Sequence, residues 1–117
     1  QAAIAECHAV APTVAETDWD RIVLLYEALS RIAPSPVVDL NRAVAVSMAS
    51  GPEAGLSLLD ELDEGAFRGS HLLPSVRGEL LSRLGRVEEA REELATAVRR
   101  CENERERGVL ERKLAAL

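Results

Sequence analysis

The residues best equipped for chemistry in this chain are few, and their spacing is wrong for most of what they could do. Two cysteines, Cys7 and Cys101, and two histidines, His8 and His71, are the natural metal ligands and nucleophile partners. Cys7 and His8 are adjacent, so on a helix their side chains diverge by about 100° and rarely share an ion. His71 is far from both in sequence, and neither a C-x-x-C nor an H-E-x-x-H spacing occurs. No metal site is therefore expected. Cys101 falls on an apolar helical stripe and reads as a core residue. No Ser/His/Asp set or glycine-rich phosphate loop is present. Carboxylates are abundant but lie on charged helix faces rather than in a convergent pair. The expectation is a chain that is not an enzyme, holds no cofactor and takes no small-molecule substrate.

Binding is the better-supported use of the polar residues. Asp39, Asn41 and Arg42 interrupt an otherwise apolar helix. They could face a groove and bind a peptide. Alternatively, Arg42 could pair with Asp39 or with a carboxylate on the preceding helix and fix how helices stack, because a buried charge needs a partner either way. Arg77, Glu79, Ser82 and Arg83 share a later helix. They form either a peptide-contacting surface, where arginine would grip carboxylates, or a solvated face. Phe67, in a loop, either plugs a helix end or anchors a partner; the first is favoured.

What positions these residues is legible from bulk properties. The chain has 117 residues, enough for one domain, and is 47 % hydrophobic but only 3 % aromatic. Ala, Leu and Val must build the core, which suits close-packed helices rather than a sandwich or barrel. Net charge is −6. A polyanion binder normally carries a basic patch, so direct nucleic-acid contact by this chain is not expected. The charge is uneven: residues 1–64 hold eleven acids and three bases, and residues 65–117 hold nine acids and eleven bases. Such asymmetry fits either an oriented partner or two solvated faces. The cysteine spacing gives no disulfide framework and fits a reducing cytoplasm, and no apolar run reaches membrane-spanning length. The first residue is Gln1 rather than Met, so a fragment of a longer protein is expected.

Hydrophobic periodicity near 3.6 predicts helices throughout. They are expected over 2–11, 18–33, 36–50, 52–63, 70–84, 87–101 and 104–117, with 64–69 as the main loop. Thr17, Ser35, Ser70 and Asn103 are the expected N-caps. Pro36 and Pro52 are placed to start helices, and Gly85 to end one.

Seven helices with short links invite a search for repeats. Gly78, Leu81, Gly85, Ala90, Leu94 and Ala97 fit a helix pair of the tetratricopeptide (TPR) kind, in which small residues let two axes approach. Ala43, Val46, Gly55, Leu59 and Leu62 fit a preceding pair, and Trp19, Ile22, Tyr26 and Leu29 an earlier one. Ile22, Gly55 and Ala90 stand 33 and 35 residues apart. The expected fold is all-α, a TPR-like helix-hairpin solenoid filling residues 1–117 as one domain. Three hairpins are closed by a charged capping helix, with Ala43, Gly55, Gly78 and Ala90 at the hairpin contacts.

The run DWDRIVLLYEALSRIAPSPVVDLNRAVAVSMASGPEAGL (18–56), with HLLPSVRGELLSRLGRVEEA (71–90) and NERERGVLERKL (103–114), resembles a known family. It is similar to the C-terminal extension of bacterial RNA polymerase sigma factors of the extracytoplasmic-function group. IAPSPVVDLNRAVAV and HLLPSVRGELL carry most of the likeness. The resemblance implies a regulatory, protein-binding part of a cytoplasmic transcription-initiation factor. Its partners would be the upstream sigma regions of the same chain, core RNA polymerase, or both. The promoter-binding and polymerase-binding regions of such a factor lie upstream of these residues. The alternative is a free-standing TPR adaptor that binds a peptide in another complex.

Overall fold

The computed structural model describes residues 18–62 and 64–117. Among them the chain is all-helical. It has six α-helices, one 3-10 turn and no strand: α1 Trp19–Ile32, α2 Pro36–Ser50, α3 Pro52–Asp60, the 3-10 turn Glu64–Phe67, α4 Leu72–Arg83, α5 Val87–Arg100 and α6 Glu104–Ala115. The helix expected over 2–11 lies outside the described residues, as do Thr17, Cys7 and His8.

Helix boundaries follow local chemistry, with some corrections. Asp18 is the N-cap of α1, and its Oδ1 accepts the Arg21 backbone N–H at 3.1 Å. Ser35 stands at the N-cap of α2 with extended backbone, but its hydroxyl makes no capping bond; the pre-set φ of Pro36 starts the helix instead. Gly51, at φ 101°, ends α2 and precedes Pro52 of α3, a conformation that an L-residue with a Cβ resists. α3 stops at Asp60, three residues short of expectation. Asp60 and Glu61 would sit at the negative end of the helix dipole, and no basic residue occupies its last turn. Pro74 falls within the first turn of α4, where its missing N–H costs nothing. That helix ends in a Schellman motif: Gly85 at φ 77° donates to Ser82 O at 3.0 Å, and Arg86 donates to Leu81 O at 3.0 Å. Asn103 caps α6, its Oδ1 accepting from Glu106 N–H at 3.0 Å.

Each helix packs on its neighbour in sequence, and α2 packs against both α1 and α3. Three apolar clusters follow the chain. Ile22 and Ala45 meet between α1 and α2, with Trp19, Val23, Leu25 and Tyr26 against them. Leu40, Ala43, Leu59, Phe67, Leu73 and Leu80 form the middle cluster. Leu94, Ala97, Cys101 and Leu110 form the last, joining α5 to α6. Phe67 is thus a core plug and is not available as an anchor for a partner.

Small residues sit where helices come closest. A Cβ added to Gly55 would lie 2.7 Å from Ser47 Cβ and 3.0 Å from Ala43 O, so α3 rests directly on α2. A Cβ on Gly78 would lie 2.8 Å from Leu94 Cγ and 3.4 Å from Leu94 N, so α4 rests on α5. The residue facing Gly78 is Leu94, one turn beyond Ala90; Ala90 is itself fully buried. No helix among the described residues is long and apolar enough to cross a membrane.

Candidate functional site

The two sets of candidate binding residues are rearranged by helix geometry. Residues two apart on a helix point about 200° from each other. Asp39 and Arg42, three apart, therefore share a face, and both line a cleft of about 250 Å³ with Leu58, Glu61 and Leu62. Asn41 lies on another side of α2, half-buried and away from that cleft. The same rule splits α4. Glu79 and Arg83 are one turn apart and pair with each other at 3.5 Å. Arg83 Nη1 also donates to Met48 Sδ at 3.2 Å, and Glu79 meets Lys113 Nζ at 3.5 Å. These two residues tie α4 to α2 and α6. Arg77 points elsewhere and meets Asp60 Oδ1 at 3.8 Å, beside a cleft of about 440 Å³ that Glu93, Thr96 and Arg100 also line. Arg77, Glu79 and Arg83 therefore do not form one surface, contrary to the sequence-based expectation.

The structural pairing expected for Arg42 also changes. Asp39 Oδ1 accepts a hydrogen bond from Ser30 Oγ at 3.1 Å, linking α2 to α1. No ion pair joins Asp39 to Arg42 among the described residues. Arg42 is half-buried, and its Nε is buried without a hydrogen-bond acceptor among the described residues. A charged donor held out of water without an acceptor is costly, by about 1–3 kcal/mol or more. Arg42 also lines the cleft, so a group seated there would lie beside its side chain.

The two clefts correspond. Arg42 and Arg77 are 35 residues apart, as are Ala43 and Gly78, Gly55 and Ala90, and Leu59 and Leu94. All six of these apolar or small residues are buried, so the same packing is used twice. Leu58 and Glu61 line the first cleft where Glu93 and Thr96 line the second, again 35 residues on. Two successive hairpins thus present an arginine at equivalent places. The sequence carries this signal in the 35-residue offset of Arg42 and Arg77.

A second polar cluster was not anticipated. His71 immediately precedes α4, Cys101 immediately follows α5, and Glu106 lies in the first turn of α6. His71 Nε2 and Glu106 Oε2 are 2.9 Å apart, and Cys101 Sγ is 4.0 Å from the same oxygen. The expectation of no metal-ligating group weighed only neighbours in sequence; here three residues converge from three helix ends. Cys101 is also the core residue expected, buried against Leu94, Ala97 and Leu110.

No family model matches this chain, and no solved structure matches it. An uncharacterized protein of Rhizobium meliloti (strain 1021) is 54 % identical over 91 residues, which is 78 % of this chain and 21 % of that protein. The chain spans about a fifth of the length of the relative it matches.

Proposed function

We propose that this chain is a TPR-like protein-interaction module whose arginine-bearing clefts hold a carboxylate-containing segment of a partner. The observation that carries this reading is Arg42: a half-buried arginine lining a cleft, its Nε without an acceptor among the described residues. Carboxylates are the natural ligands for such a fork of donors. Arg77, at the equivalent place one repeat later, extends the surface along the array. Nearest-neighbour helix packing and the 35-residue recurrence of buried small residues support the solenoid reading.

The parent function follows from the resemblance. We infer a regulatory extension of an extracytoplasmic-function sigma factor, acting in transcription initiation in the bacterial cytoplasm. The partner is the upstream sigma regions of the same protein or core RNA polymerase, without direct nucleic-acid contact by this module. The much longer relative is compatible with a module carried on a larger protein. The first test is the reading frame of the parent: it should encode a promoter-binding helix-turn-helix and a polymerase-binding region. A parent made only of helix hairpins would favour a free-standing adaptor instead. The second test is deletion of residues 1–117 from the parent, followed by promoter-dependent transcription. Activity rises if the module folds back to inhibit, and falls if it recruits polymerase. Unchanged transcription contradicts a regulatory role.

A further inference from the structure

We infer that His71, Cys101 and Glu106 form a three-ligand site for a thiophilic divalent cation, Zn²⁺ by chemistry, at the junction of α4, α5 and α6. One nitrogen, one sulfur and one carboxylate oxygen lie within 4.8 Å of one another. A tetrahedral zinc with bonds of about 2.0–2.3 Å places its ligand atoms about 3.3–3.7 Å apart. Two of the pairs, at 2.9 and 4.0 Å, bracket that spacing. The exposures suit an entry from solvent: Cys101 is 2 % exposed, while the side chains of His71 and Glu106 are 23 % and 57 % exposed. The sulfur forms the floor, and the fourth position faces water. A thiolate in the set selects against Mg²⁺ and Ca²⁺, which prefer all-oxygen shells.

Binding exchanges contacts that the apo site already makes. The Cys101 S–H, which reaches Asn103 O at 3.4 Å, gives its proton to the buffer as Sγ bonds to the ion. The His71–Glu106 contact opens: the proton shared between Nε2 and the carboxylate leaves for the buffer or moves to Nδ1, so that the bound imidazole is neutral with its one proton on Nδ1, and Nε2 and the carboxylate each turn to the metal. Because the ligands come from three helix ends, the ion staples the C-terminal helix to the α4–α5 hairpin.

The test uses the full chain with Cys7→Ser and His8→Asn, so that the other cysteine and histidine do not compete. Co²⁺ titration should give a one-to-one complex with a near-ultraviolet thiolate-to-metal band and the intense visible bands of four-coordinate cobalt. Zn²⁺ should displace it and raise the Tm. Cys101→Ser should abolish the thiolate band, and His71→Gln or Glu106→Gln should weaken affinity at least tenfold. Because Cys101 is buried, Glu106→Gln is the decisive variant: its side chain is exposed and its fold can be checked by circular dichroism. Absence of the thiolate band in the folded parent, or an affinity untouched by Glu106→Gln and His71→Gln, overturns the site.

Discussion

Single residues carry the most direct consequences. Arg42 distinguishes a binding role from a stacking role. A buried donor without an acceptor contributes little to the fold, and exchange for an apolar chain of similar length is often neutral or stabilising. Arg42→Met should therefore leave unfolding free energy unchanged or raise it by up to about 1–3 kcal/mol in denaturant titration, while breaking a structural ion pair would lower it by about 3–5 kcal/mol. Tyr26 tests the α1–α2 interface. It packs with Ile22 and Ala45, and burial pushes its phenol above the ordinary 10.0. It is the only tyrosine in the chain, so the rise in near-ultraviolet absorbance on phenol ionisation follows it alone. The folded protein should titrate at higher pH than the urea-unfolded chain. The sign follows: stability held by the neutral phenol is fully present below pH 10.0 and is lost as pH rises through the folded value. Identical midpoints in the two states would show that α1 does not seat on α2 as described.

At the scale of helices, the two small-residue contacts make opposite predictions from a solvent-side glycine. Gly78→Leu drives a side chain into Leu94, itself fully buried with nowhere to go, and should cost about 3 kcal/mol or more. Gly108, in α6, has only the flexible Arg112 Nη1 near its Cβ position, at 3.5 Å. Gly108→Ala should stabilise by about 0.5–1 kcal/mol through helix propensity. Thermal unfolding of both variants checks the pair, and a tolerated leucine at 78 would mean that α4 and α5 are not in contact there. Much at this scale was legible in the sequence. Proline at the starts of α2 and α3, Asn103 before α6 and Gly85 after α4 act through rules that need only neighbouring residues. The end of α3 was not legible from periodicity, because Leu62 continues the apolar pattern while the acids around it oppose the helix dipole. The His71–Cys101–Glu106 junction was also hidden, since its members are 30 and 5 residues apart and meet only because α5 returns the chain to the start of α4.

For the whole molecule, the recurrence of one hairpin packing pattern is what makes an extended surface. Buried pairs at a 35-residue offset repeat the cleft, and the arginines at 42 and 77 repeat with them. The face carrying Glu79 and Arg83 is instead used up in ties to α2 and α6. The charge along the chain is uneven, with an acidic first half and a mildly basic second half; were the proposed partner of complementary charge, this would orient its approach, an effect that should weaken as salt is raised. For the proposed sigma-factor role, the most direct measurement is the affinity of the folded chain for the isolated sigma regions of the proposed parent and for core RNA polymerase, by calorimetry, with Arg42→Met and Arg77→Met alongside. The account predicts binding to at least one of them, weakened tenfold or more by Arg42→Met without loss of stability. Binding to neither, or binding indifferent to both substitutions, would contradict it.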